Sequence, residues 1–335
     1  MSWIKKIVFN SALILGSSIS GLFLFEFFLI FENRFKPVEK TVVEINGESY
    51  PFLKGVSTEG TLQKSSKSRH LFILGDSFTE GIVCAADNAN FPSHLSEMIG
   101  ADIEVINLGV NGKNTADYVD FLDYFEVVVG DLAIITLYDN DMIISERNCG
   151  QIRRQAEKHE VYVPKFCSSE KAFVDKSSAG LLKVVNKYVK DFKTVQLLKE
   201  SAAQVPALQG FFYRDEYRNS WNDFKAEENK WLRSSLRVMQ EQVQRAGGNV
   251  IFTYYPNTNN ITRDDYRHQI WTRFLDYAEE QDGIKILDPY PYFVAVAPEK
   301  SMVWSLTDKH PNCAAHKIMA EFLMGSARFS SILEE

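Results

Sequence analysis

The sequence predicts an α/β fold, a five-stranded parallel sheet with helices on both faces. Three observations carry this expectation. From Leu71 onward, short apolar runs alternate with longer segments of helical period. The first run, Leu71 to Leu74, is apolar at every position, as suits a strand buried on both faces. It breaks off at Gly75-Asp76-Ser77, with a second glycine at Gly81, so a sharp turn follows the strand. Such a turn would leave Ser77 at the carboxyl edge of the sheet, where open α/β folds bind ligands. The ordinary alternative is that Ser77 caps the next helix, since Asp and Ser are good caps.

The elements before that strand come in three pieces. Residues 7–31 are mostly apolar and long enough to cross a bilayer, although Asn10, several serines and Glu26 interrupt them. A cleaved signal peptide is the rival, but the apolar part is too long and no Ala-x-Ala site follows. We expect an uncleaved signal anchor, short tail inside and domain extracytoplasmic (periplasmic or extracellular). Arg34, Lys36 and Lys40 beyond it outnumber Lys5 and Lys6 before it, which leaves the orientation weakly specified by charge. Residues 41–50 read as a hairpin turning at Asn46-Gly47. Residues 57–68, rich in Ser, Thr and Lys, read as a loop.

Core strands are expected at 71–74, 103–107, 132–137, 249–254 and 284–287. Helices are expected at 91–99, 115–125, about 222–245 (stopped by Gly247-Gly248), 264–280 and 313–323. Strands three and four are more than a hundred residues apart, far beyond what a crossover requires. Residues 143–220 are therefore read as an insertion, with one helix at 181–200 and an aromatic cluster of Phe211, Phe212, Tyr213, Tyr217 and Trp221. It is either a lid over the site or a satellite core. The domain division is then 1–40 (anchor and flank), 41–69 (hairpin and linker), 70–142 with 221–330 (main domain), and 143–220 (insertion).

Composition narrows the partners. The 335 residues carry a net charge of −7 with no basic stripe, which excludes a phosphate backbone as a natural ligand. Cys84, Cys149, Cys167 and Cys313 form no Cys-x-x-Cys and no metal-type pairing with histidine. Cys149 and Cys167 would bridge in an oxidising compartment; four free thiols are the alternative.

Four segments fall after strand ends or before the last helix: Gly75-Asp76-Ser77, Asn107 through Thr115, Tyr138-Asp139-Asn140-Asp141, and Asp308-Lys309-His310-Pro311. Taken singly, Gly112 is a turn glycine, Asn140 a cap and His310 a surface histidine. As an ordered set they resemble the SGNH hydrolase superfamily, the GDSL-type esterases and lipases, whose four letters match Ser77, Gly112, Asn140 and His310. The resemblance covers roughly 70–141 and 249–325. It implies a flavodoxin-like three-layer α/β/α fold with strand order 2-1-3-4-5.

It also implies roles for the residues. A serine hydroxyl needs a base to take its proton, for which His310 is the candidate, and an acid to hold the imidazole, for which Asp308 is the candidate. Many family members place that acid three residues before the histidine, where this chain has Thr307. The oxyanion donors would be the Ser77 and Gly112 backbone N–H groups and the Asn140 amide. His316 reads as structural. Asp76, Asp139 and Asp141 read as loop hydrogen-bonding groups rather than metal ligands, and no metal or cofactor is implied.

The function expected is thus a membrane-anchored serine esterase acting on a short acyl ester such as acetyl, through an acyl-enzyme. An acyltransferase of the same fold acting on a glycan or lipid is the alternative, and a non-catalytic binding protein the further one. The substrate would be a glycan, lipid or small-molecule ester.

Overall fold

The computed structural model describes residues 40–53, 69–85, 87–125, 127–142, 148–168, 227–258, 261, 266–297, 302–303 and 310–334. At 140, 142, 227–228 and 266–267 only the backbone is described. The expected anchor at 7–31, the loop at 57–68, the helix at 181–200 and the aromatic cluster at 211–221 lie outside these residues. Among the described residues no helix is long and apolar enough to cross a membrane.

The Asn-Gly signal is realised as an antiparallel hairpin of β1 (Lys40–Ile45) and β2 (Glu48–Leu53). Asn46 and Gly47 both have positive φ, +52° and +84°, as the two-residue type I′ turn demands. Four side chains of the hairpin, Val43, Ile45, Tyr50 and Phe52, are buried.

The main sheet contains β3 (Arg69–Gly75), β4 (Ile103–Gly109), β5 (Leu132–Leu137), β6 (Asn249–Tyr254) and β7 (Ile286–Leu287). All neighbours are parallel, in spatial order β4-β3-β5-β6-β7. Renumbered within the sheet, this is the expected 2-1-3-4-5. Because successive strand residues face opposite ways, Phe72 and Leu74 enter one apolar core while Leu71 and Ile73 enter the other. Ala133 and Ile135 against Leu132 and Ile134 repeat the pattern one strand over.

Helices cover both faces. The short turns α1 (Ser77–Glu80) and α2 (Ile82–Ala85) follow β3 directly. On the Leu71 side lie α3 (Phe91–Ile99), α8 (Tyr290–Val296), α9 (Cys313–Gly325) and α10 (Ala327–Glu334). On the Phe72 side lie α4 (Thr115–Tyr124), α5 (Cys149–Lys158), α6 (Glu227–Arg245) and α7 (Tyr266–Asp282). The hairpin joins this second layer, with Tyr50 and Phe52 set edge-on to Phe121 of α4 at 4.8 and 5.1 Å. Every described residue belongs to one unit, Val38–Phe173 with Glu216–Glu335.

Helix α5, at the start of the stretch read as an insertion, packs into the sheet domain. Gln151 Nε2 donates to Asp120 at 2.9 Å, and Gln155 Nε2 donates to the Ala116 carbonyl at 2.6 Å and to Asp120 at 2.8 Å. Its sequence is mostly polar, so its attachment by side-chain amides gives no apolar period to read. Both pairs of cysteines are bridged. Cys149–Cys167 closes a local loop beside α5, while Cys84–Cys313 joins positions 229 residues apart.

Candidate active site

The site forms where β3, β4 and β5 end. Gly75 closes β3 because the Thr79 side chain folds back against it: a Cβ at Gly75 would stand 1.9 Å from Thr79 Oγ1. The chain then turns into α1, and the cap is Asp76, not Ser77. Its carboxylate accepts the Phe78 N–H at 2.8 Å, and Gly81 ends the turn in the left-handed conformation at φ +60°. Ser77 is therefore the first residue of the turn, where a backbone N–H has no acceptor within its own helix.

The structure brings Ser77 and His310 together across 233 residues of sequence. His310 Nε2 lies 2.8 Å from Ser77 Oγ, hydrogen-bond distance for a hydroxyl donating to a neutral imidazole. The His310 ring also packs on Phe78, with centroids 5.1 Å apart, and Phe78 stacks on Tyr138 at 3.6 Å. Asn312 caps α9 by accepting from Ala315 N and donates its own N–H to the Met302 carbonyl, so the segment bearing His310 is fixed on its C-terminal side. Asp308 and Thr307 lie outside the described residues.

Gly112 sits in the loop after β4. Lys113 N donates to the Val110 carbonyl at 3.2 Å, making a β-turn whose third position is Gly112 at φ +75°. That conformation calls for glycine. A Cβ there would meet no described atom within 4 Å, so backbone conformation, not crowding within the chain, explains the residue. The loop is laced to the Ser77 turn. Val110 N donates to the Gly75 carbonyl at 3.0 Å, and Asn107 donates towards the Thr79 and Glu80 carbonyls while accepting from Gly109 N.

Asn140 falls within the 3-10 turn Asp139–Met142 that follows β5, at the same edge of the sheet. Its side chain is outside the described set. The turn itself is braced from three sides. Trp271 Nε1 of α7 donates to Asp139 at 3.1 Å, the Asp141 carboxyl accepts from Tyr138 N at 2.7 Å, and Thr115 Oγ1 donates to the Asp141 carbonyl. Asp76 and Asp141 thus accept hydrogen bonds from their own turns, and Asp139 accepts one from helix α7. Burial, and then the Asp76 carboxylate, push the Asp141 carboxyl well above the usual carboxylate range. Among the described residues no cluster of three or more His, Cys, Asp or Glu is arranged to hold a metal.

His316 lies inside α9 and is buried, its Nδ1 3.5 Å from the Tyr255 hydroxyl. Burial lowers its pKa to about 3, so it stays neutral at ordinary pH. The sequence reading overlooked Glu80, which is buried beside Ser77 and contacts both the hairpin and the Gly112 loop. A charged residue in the turn that Ser77 begins is weak in isolation as a signal, since glutamate there reads as a helix-starting acid.

Fold and family together define an ester-hydrolysing serine hydrolase. The chain belongs to the GDSL-like Lipase/Acylhydrolase family, whose model matches residues 71–323. Among solved structures, it is similar to a member of the lipolytic G-D-S-L family from Veillonella parvula. The identity is 13%, the alignment covers 78% of this chain and 99% of that one, and the TM-score is 0.41. It is also similar to an inhibitor-bound aryl esterase from M. smegmatis, with 12% identity, 80% and 98% coverage, and a TM-score of 0.38. No curated protein matches the chain.

Proposed function

We propose that the chain is a membrane-anchored esterase of short acyl groups, acetyl above all, in which Ser77 is the nucleophile and His310 its base. Ser77 Oγ attacks the ester carbonyl carbon as its proton passes to His310 Nε2. The carbonyl oxygen, now carrying the negative charge, is held by the Ser77 and Gly112 N–H groups and the Asn140 amide. Collapse expels the alcohol, which takes the proton from Nε2 and leaves Ser77 acylated. Water then attacks with His310 again as base, releasing the acid and restoring the serine. Asp308 is assigned to hold the imidazole through Nδ1, two residues before His310 in sequence.

The observation that carries this reading is the 2.8 Å approach of His310 Nε2 to Ser77 Oγ, at the edge where β3 ends and the Gly112 and Asn140 turns follow β4 and β5. The apolar length of residues 7–31 supports the anchor. An anchored site at an extracytoplasmic surface suits an ester on an exported acceptor.

Hydrolysis of nitrophenyl acetate, butyrate and octanoate by the 335-residue chain tests both parts. We expect kcat/KM to be highest for acetate, lower by about tenfold or more for octanoate, and lost for all three in Ser77→Ala. A preference for octanoate would replace the short-acyl reading with a lipid-ester one.

A further inference from the structure

We propose that Glu80 is a positioning residue for the esterase reaction: its buried carboxylate, paired with Lys40, fixes the Asn111–Gly112 backbone that supplies an oxyanion donor. The inference rests on the assignment of Gly112 given above, and the geometry concerns residues that assignment does not use.

Glu80 is the fourth residue of the turn that Ser77 begins, and its side chain is 0% exposed. A carboxylate so placed must be compensated or it destabilises the fold. Both of its oxygens are engaged. Oε2 accepts the Asn111 N–H at 2.9 Å, and Oε1 pairs with the Lys40 ammonium, which is itself only 25% exposed. One side chain therefore ties together the Ser77 turn, the first residue of the hairpin, and the main chain of Asn111, the residue before Gly112.

The main-chain contact at that point is already close. A Cβ at Gly109 would stand 2.3 Å from Glu80 N and 2.8 Å from Glu80 Cα, so the two loops meet backbone to backbone. Asn90 Nδ2 donates to the Glu80 carbonyl at 3.2 Å, which fixes the residue from the α3 side as well. With its own backbone held by these neighbours, Glu80 can act as a fixed acceptor. An oxyanion donor must be aimed before the charge develops, and a hydrogen bond to the N–H of the residue before it anchors the stretch of backbone that carries it. Glu80 touches neither substrate nor the reacting atoms. It acts through Asn111 and Gly112.

Steady-state kinetics on nitrophenyl acetate, with thermal melts of each variant, test the inference. Glu80→Ala should lower kcat by about 10- to 100-fold with KM changed by less than about threefold. Glu80→Gln keeps an acceptor for Asn111 and should retain about tenfold more kcat than Glu80→Ala. Lys40→Met strands the carboxylate and should lower kcat; adding Glu80→Gln to it should recover activity, because the double variant removes the unpaired charge while keeping the acceptor. Equal kcat in the Ala and Gln variants, or losses that disappear well below each variant's melting temperature, would overturn the proposal. Should Glu80→Ala not fold, the Lys40→Met and Lys40→Met/Glu80→Gln pair decides by the presence or absence of recovery. Undiminished hydrolysis in Ser77→Ala would instead overturn the site assignment beneath it.

Discussion

His316 shows how a single side chain near the site records its surroundings in the pH dependence of stability. It lies under the Ser77 turn, where a Cβ on Gly81 would stand 3.0 Å from its Cε1, and against Tyr255 and Phe91. Burial, reinforced by His94 and His310, brings its pKa down from 6.5 to about 3. Above pH 6.5 the ring is neutral in folded and unfolded chains alike and contributes no pH dependence. As the pH falls below 6.5, the unfolded chain takes up a proton that the folded chain refuses until about pH 3. Stability should therefore decline through that window, by at most about 1.4 kcal/mol per pH unit for this one group. Denaturant unfolding from pH 7 to 4 checks this: His316→Gln should flatten the slope by close to one proton, and an unchanged slope would assign the effect elsewhere.

At the scale of elements, the site depends on loops held at backbone contact. The turn after β3 and the loop after β4 meet at Gly109, whose Cβ would fall 2.3 Å from Glu80 N and 2.7 Å from the Thr79 carbonyl carbon. Those are main-chain atoms, which cannot swing aside as a long side chain can. Gly109 is not at positive φ, so alanine is conformationally acceptable there and its cost is purely one of space. Gly109→Ala should destabilise by about 1–3 kcal/mol through overpacking and lower kcat by separating the Ser77 and Gly112 segments. Melting and nitrophenyl acetate turnover measured together check it. A variant with wild-type values in both would show that the loops do not need this contact.

Over the whole molecule, what was legible in the sequence follows the type of force involved. The five core strands left apolar runs, and the longer helices α3, α4, α6, α7 and α9 left helical periods, while the strand order followed from resemblance to a family. Ser77 and His310 stood out as a pair because a nucleophile and a base call for specific residue types, and the structure sets the two side chains 2.8 Å apart. Features held by polar or long-range contacts were not readable. Helix α5 is attached by glutamine amides to Asp120 and Ala116. The Cys84–Cys313 bridge joins the segment after Ser77 to the helix after His310, and no local spacing signals a partner 229 residues away. Closing so long a loop restricts the unfolded chain strongly, which stabilises the pairing of the Ser77 and His310 segments. Glu80 was hidden for the same reason, its partners Lys40 and Asn111 lying far off in sequence on either side.

The central claim is that Ser77 is a nucleophile activated by His310. Labelling of the 335-residue chain with a fluorophosphonate, followed by mass spectrometry of its peptides, tests it most directly. The account predicts one phosphonyl group on the peptide containing Ser77, absent in Ser77→Ala and formed far more slowly in His310→Ala. Labelling at another residue, or labelling undiminished in Ser77→Ala, would contradict it.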